Sequence, residues 1–200
     1  MSTIHSVCVY CGSSTGRSPI YIESGKALGA ALAQADLRLV YGGGTRGIMG
    51  AVSAAAVAAG GKVTGIIPTF LLSKEAGDGM PDGLDELHVV DTMHVRKHMM
   101  FEKSDAFIAL PGGIGTVEEI IEIMTWGQLG QHRKPMIFAN INGFWEPMRA
   151  LIEHMSAEGF IHNANQVRPI FVDDVADVVP AILAAAGASA DGNEALIGKM

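Results

Sequence analysis

The stretch Ala106-Phe107-Ile108-Ala109-Leu110-Pro111-Gly112-Gly113-Ile114-Gly115-Thr116-Val117-Glu118-Glu119 carries the decision about the fold. Its first five residues are apolar without a break, as in a strand covered on both faces. Pro111 ends the run, and three of the next four residues are glycine. From Thr116 the apolar spacing turns helical. The same succession of apolar run, turn and helical pattern recurs along the chain. Strands are expected at 7–10, 37–41, 63–67, 87–90, 106–110, 136–139 and 170–172. Helices are expected at 19–34, 48–59, 92–103, 116–129, 144–157 and 174–186. Ser18-Pro19 reads as an N-cap with proline at the first helical position. Such alternation implies α/β: an open, mostly parallel Rossmann-like sheet with helices on both faces. Residues 1–186 are expected to form a single nucleotide-binding domain, and 187–200 a flexible tail.

The bulk properties agree with one folded domain. The chain has 200 residues, 48% of them hydrophobic and 18% charged, which excludes a disordered chain. Lys and Arg number 14 against 21 Asp and Glu, a formal net charge of -7. No basic face for nucleic acid is expected from that balance. Met1-Ser2-Thr3-Ile4-His5 lacks the basic stretch and apolar core of a signal peptide. No apolar run approaches the ~18 residues of a membrane span. Two cysteines make no disulfide framework. The expected setting is cytoplasmic, with no membrane partner.

In open α/β sheets, ligands bind beyond the carboxyl ends of the strands, where the strand order switches. Three glycine-rich segments fall on that edge: Cys11–Gly16, Gly42–Gly47 and Pro111–Thr116. Glycine lets backbone N–H groups crowd an anion at a helix start, so the set points to a phosphate-bearing ligand. Gly112, Gly113, Ile114, Gly115 and Thr116 form the clearest cradle. Glu119 lies one turn beyond it, on the face of Gly115. A carboxylate there is not needed for the phosphate and would meet another part of the ligand. Glu118 is explained by the helix dipole, whereas Glu122 shares the face of Glu119 closely enough to remain open. Arg96 and Lys97 stand at the same edge, where one of them is expected to serve the ligand.

Other motifs match only in part. Gly42-x-Gly44-x-x-Gly47 fits the dinucleotide fingerprint, but Thr64–Pro68 lacks the acid that would hold a ribose. Ile48 stands where a P-loop needs Lys. Gly12-Ser13-Ser14-Thr15-Gly16 resembles a hydrolase elbow, yet its helix starts too late, so Ser13 reads better as a phosphate or sugar contact. Cys8 and Cys11 have redox spacing but lie along a strand, facing opposite ways. His94 and His98 lack the Glu of a zinc-protease helix. No metal site is expected.

Pro111-Gly112-Gly113-x-Gly115-Thr116-x-x-Glu119, with Tyr41-Gly42-Gly43-Gly44-x-x-Gly47-x-Met49-Gly50, resembles the Lonely Guy family. Cys11–Ser14, Met93-x-x-Arg96-Lys97 and Thr125-Trp126-x-Gln128-Leu129-Gly130 extend the resemblance over nearly the whole chain. These are cytokinin riboside 5′-monophosphate phosphoribohydrolases. The resemblance implies hydrolysis of the N-glycosidic bond of AMP or N6-substituted AMP, giving the free base and ribose 5-phosphate. It implies Arg96 and Glu119 as the catalytic pair. Ser13, Gly43, Gly44, Met93, Lys97 and Gly112 through Thr116 would contact the substrate. It implies a homodimer and no cofactor. Family members are often labelled lysine decarboxylases, an activity needing pyridoxal phosphate on a lysine. Neither glycine motif contains one, and Lys97 suits a phosphate site better. The rival reading is a nucleotide carrier or sensor without turnover, which would have little use for Glu119 beside an anion.

Overall fold

The computed structural model of the chain describes residues 4–76, 82–161 and 169–197. In chain order the elements are β1 (Ser6–Tyr10), α1 (Pro19–Gln34), β2 (Arg38–Tyr41), α2 (Gly47–Ala58), β3 (Val63–Pro68), β4 (Glu86–Val90), α3 (Met93–Glu102), β5 (Ala106–Ala109), α4 (Ile114–Gln128), β6 (Met136–Ala139), α5 (Glu146–Ala157), β7 (Ile170–Val172) and α6 (Val175–Ile197). A 3-10 turn, Thr69–Leu71, and a short π-helix, Leu72–Ala76, follow β3.

The apolar runs explain the sheet. Val7, Cys8, Phe107, Ile108, Ile137 and Phe138 are fully buried, because helices cover both faces of these central strands. All six strand pairings are parallel, in the order β4-β3-β2-β1-β5-β6-β7. One core packs α1, α2 and α6 on Val9, Leu39, Ile108 and Ile137. The other packs α3, α4 and the Trp145–Met148 corner on Tyr10, Val40, Phe107 and Phe138. The Asp105 carboxylate ties the sheet centre together. Its Oδ2 accepts from His5 N and Ser6 N at 2.9 Å and from Ser6 Oγ at 3.0 Å.

The strand order reverses at β1, with β2 on one side and β5 on the other. The loops leaving β1 and β5 therefore meet at the carboxyl edge. Gly12 N donates to Pro111 O at 3.1 Å. A Cβ on Gly112 would lie 2.9 Å from Gly12 N, so the two loops touch backbone to backbone.

Three helix boundaries differ from expectation by two residues or more, α5 starting at Glu146 instead of 144. Helix α4 starts at Ile114 rather than Thr116, with Gly113 as an extended N-cap, so more of the glycine loop belongs to the helix. Helix α6 runs to Ile197 instead of ending at 186, through the first part of the expected tail. Alanine-rich sequence favours helix, and a lone glycine costs only about 1 kcal/mol against alanine. Residues 198–200 of that tail lie outside the described ones.

Candidate active site

The first turn of α4 is built to leave its amides open. Gly113 offers no side-chain cap, and the N–H groups of Ile114, Gly115 and Thr116 precede any carbonyl within their own helix that could receive them. A Cβ added at Gly113 or Gly115 would meet nothing within 4 Å. Gly112 has a different part. A Cβ there would lie 2.1 Å from Thr116 Oγ1, so this glycine closes the loop onto the helix. The open face borders a cavity of about 350 Å³, into which Cys11, Gly12, Ser13, Met49, Leu71 and Glu75 also project.

Helix α3 supplies the facing wall. Thr92 caps it, its Oγ1 accepting from Val95 N at 3.2 Å. One turn in, Arg96 is only 4% exposed. Its Nη2 stands 3.5 Å from Glu119 Oε1, its Nη1 donates to Met93 Sδ at 3.8 Å, and its Nε has no partner. A buried donor without an acceptor costs on the order of 1–3 kcal/mol unless a ligand supplies one. Gly42 makes this placement possible, since a Cβ there would sit 2.1 Å from Arg96 Nη2.

The three carboxylates at the start of α4 divide between two cations. Glu118 and Glu122 hold Lys97, the latter at 3.2 Å. Glu119 faces Arg96 and is 8% exposed. Burial pushes the Glu119 carboxyl up to about 7, against the pull of Arg96, with Glu118 and Glu75 adding to the rise. A carboxyl at that value changes charge near neutral pH, a property of acid–base and electrostatic catalysts. Burial works to lower the Lys97 ammonium. The carboxylates of Glu118 and Glu122, to which the ammonium is paired, outweigh it and carry the group above the ordinary lysine value.

The glycine loop after β2 is already engaged. Gly44 N donates to Met49 Sδ at 3.3 Å and Thr45 N to Glu75 O at 2.9 Å. Ile48 N and Met49 N, at the start of α2, reach Ser14 O and Gly12 O. Gly43 (φ +75°) would place a Cβ 2.9 Å from that of Ile67, and Gly47 (φ +59°) one 2.4 Å from the Ser13 carbonyl carbon. These glycines fit the loops together. Of the residues singled out in the sequence, Ser13, Met93, Arg96, Gly113, Ile114, Gly115, Thr116 and Glu119 border the cavity. Gly43, Gly44, Gly112 and Lys97 are not among the residues that line it. Glu75 was not foreseen, because the connection between β3 and β4 has no periodicity to place it.

The remaining candidates, of which only Cys11 borders the cavity, show no chemistry of their own. Cys8 and Cys11 belong to the cores on opposite faces of the sheet, and burial pushes both thiols far up, out of nucleophilic range. His94 and His98 are exposed. Among the described residues no group of three or more His, Cys, Asp or Glu is gathered as a metal ion would need.

Comparison with known proteins decides the family. The model of a family described as "possible lysine decarboxylase" matches residues 49–182. The cytokinin riboside 5′-monophosphate phosphoribohydrolase of Rhodococcoides fascians is 46% identical over 181 residues, covering 90% of each chain. The enzyme LOG of Oryza sativa subsp. japonica is 44% identical over 171 residues, covering 86% of this chain and 69% of its own. The chain belongs to the Lonely Guy family. The resemblance read from the glycine motifs is thereby established, and the Lonely Guy fold is wider than the family. The molybdenum cofactor carrier protein of Chlamydomonas reinhardtii superposes with a TM-score of 0.68 at 18% identity, over 92% of this chain and 98% of its own. The molybdenum cofactor binding protein of Rippkaea orientalis gives 0.63 at 22%, over 90% and 96%. Those likenesses show the fold alone. Lonely Guy identity also bears on the decarboxylase description. No lysine borders the cavity among the described residues, so the residues present do not fit pyridoxal phosphate.

Proposed function

We infer that the chain is a phosphoribohydrolase. It cleaves the N-glycosidic bond of AMP or an N6-substituted AMP to the free base and ribose 5-phosphate. The observation that carries this reading is Glu119, a buried carboxylate beside Arg96 and one turn from an open helix N-terminus. Close relatives with this name support it.

The chemistry follows from the placement. The phosphate rests on the amides of Ile114, Gly115 and Thr116, where the helix dipole favours an anion. That anchor sets the ribose toward Glu119. The C1′–N9 bond breaks with its electron pair moving to the base, and C1′ gains oxocarbenium character. Ionised Glu119 stabilises that cation and orients water, whose oxygen bonds C1′ while its proton ends on the base. Arg96 holds Glu119 and offers its unpartnered Nε–H to the departing group or the phosphate. Activity should accordingly rise with pH through about 7.

Two accompanying readings rest on less. A homodimer is supported by an apolar cavity of about 690 Å³ beside α4 and α5, among Met124, Ile152, Phe160 and Phe171. Phe160, which lines it, is exposed. A cytoplasmic setting agrees with the described helices, none of which is long and apolar enough to cross a membrane. The test of function is incubation with AMP and isopentenyl-AMP, followed by chromatography for the free base. Release of base supports the reading. Tight binding without release makes the protein a carrier.

A further inference from the structure

The buried guanidinium of Arg96 is held by one carboxylate and one sulfur. Its Nη2 faces Glu119 Oε1 at 3.5 Å, and its Nη1 donates to Met93 Sδ at 3.8 Å. Among the described residues no second carboxylate lies within ion-pair distance of it. The sulfur is set in place by the helix. Met93 opens α3 directly after the Thr92 cap and stands three residues before Arg96, on the same helix face. It also borders the cavity. The other thioether on that cavity, Met49 Sδ, is already taken by Gly44 N at 3.3 Å. On the Nη2 side the Gly42 backbone closes the space, since a Cβ there would lie 2.1 Å from Nη2. The guanidinium is thus bounded by Gly42 and Glu119 at one corner and by Met93 at the other. Its Nε is left without a partner.

A thioether sulfur is a weak, uncharged acceptor. A second carboxylate at that corner would orient the fork more strongly, but it would also neutralise the charge that an anionic ligand needs. Glu119 alone does not fix the plane. Its contact is longer than the roughly 2.7–2.9 Å of a close charge-assisted bond, and one contact lets a planar fork swing. Two occupied corners define the plane, and the plane sets where the Nε–H points. Met93 supplies the second corner and leaves the charge of Arg96 intact. An apolar contact between Met93 and the substrate would be served equally well by leucine, whereas an acceptor for Nη1 would not.

We propose that Met93 is a positioning residue for Arg96, its thioether fixing the Nη1 corner without neutralising it, so that Nη2 meets Glu119 while Nε–H is aimed into the cavity. Met93 acts through Arg96 and forms no bond with the reacting atoms. The proposal rests on the phosphoribohydrolase reading for its effect on turnover, though not for the orientation of the guanidinium.

The experiment compares wild type with Met93→Leu and Met93→Gln. Leucine keeps the apolar character and nearly the volume, suits a helix, and removes the acceptor. Glutamine keeps the length and offers a carbonyl oxygen. The first readout needs no turnover. In protein labelled with 15N-arginine, the Arg96 signals are assigned by their loss in Arg96→Lys. A guanidinium pinned at both corners gives separate Nη signals. Wild type and Met93→Gln should show them, and in Met93→Leu rotation should merge them. The second readout is AMP kinetics. Met93→Leu should lower kcat about tenfold and leave KM within about threefold, because a misaimed group costs rate more than affinity. Met93→Gln should return kcat to within about threefold of wild type. The third is the pH profile. Glu119 is faced by Arg96 and Lys97 of α3, by Glu118 of its own helix, by Glu75 of the turn after β3, and by the neutral Cys8, Tyr10 and Cys11 of the β1 segment. Arg96 exerts the strongest downward pull on its carboxyl. Loosening Arg96 weakens that pull, so in Met93→Leu the acid limb of kcat should move up by about half a pH unit, and Met93→Gln should reverse the move. Separate Nη signals and unchanged kcat in Met93→Leu would overturn the proposal. Equal losses in the leucine and glutamine variants would assign Met93 to a contact of its own with the substrate and overturn it as well. Absence of base release by wild type would sink the phosphoribohydrolase reading alone, and the Nη signals would still decide the role of Met93.

Discussion

Glu119 and Gly115 show how single positions trade stability for a site. A buried carboxyl held at about 7, against an ordinary 4.5, prefers to be protonated in the folded chain. Its favourable contribution is therefore complete below 4.5 and is lost as pH rises through 7. Wild type should lose roughly 3 kcal/mol of stability over that range relative to Glu119→Gln, which has no such titration. Urea unfolding of both proteins at pH 4.5, 6 and 8 measures it, and parallel pH profiles would contradict the burial of a titrating carboxyl. The same substitution should cut turnover by about 10²-fold or more with nucleotide binding largely kept. Gly115→Ala meets open space, so the fold should be as stable or up to about 1 kcal/mol more so, while anion affinity falls at least roughly tenfold as the methyl enters the cradle. Gly112→Ala instead strikes Thr116 and should lower stability too, by about 1–3 kcal/mol. Calorimetric binding of inorganic phosphate beside thermal unfolding separates the two. Helical spacing was enough to set Glu119 apart from Glu118, since one turn fixes the shared face with Gly115. It could not assign Lys97, whose partners Glu118 and Glu122 are reached across helices, nor tell that Gly42 accommodates a guanidinium.

Elements were legible where burial is two-sided. The central strands β1, β5 and β6 are unbroken apolar runs because helices cover both faces, and their positions follow from composition alone. Connections were not legible, since loop residues answer to contacts distant in sequence. The turns Thr69–Ala76 are held by Thr45, some thirty positions earlier, and carry no periodic mark. The start of α4 moved by two residues for a similar reason, as Gly113 is an adequate cap only in the company of Gly12 and Pro111. Asp105 gives the element scale its own prediction. One carboxylate oxygen receives two amides and a hydroxyl at the entry to β1, joining the residue before β5 to the start of β1. Asp105→Ala leaves those donors unpaired and should cost about 2 kcal/mol in chemical denaturation. Because the contact lies at the opposite strand ends from the cavity, kcat/KM of the folded fraction should stay within about twofold. A selective loss of activity at unchanged stability would mean that strand register reaches the site.

At the scale of the whole molecule, the parallel sheet brings the walls of one cavity together at its carboxyl edge. Loops after β1 and β5 part at the strand-order reversal and expose the N-terminus of α4. The segment after β3 closes the far side with Glu75, and α3 supplies Arg96. A substrate without its phosphate keeps the bond that breaks and loses the anchor on α4. Were that anchor only ground-state attraction, adenosine would show a high KM and a normal kcat. The geometry argues otherwise. Glu119 lies on the same helix as the cradle, one turn on, so the grip on phosphate also fixes how far C1′ stands from the carboxylate. Remote binding energy then serves the reactive position, and kcat should fall together with affinity. A dianion on three open amides and a helix dipole should be worth at least about 3 kcal/mol, or roughly 10²-fold in kcat/KM. Steady-state kinetics on AMP against adenosine, and on an N6-modified nucleotide against its nucleoside, read the split between KM and kcat. Comparable kcat/KM within either pair would remove the phosphate from the amides of α4, and with it the reason for every glycine on that face.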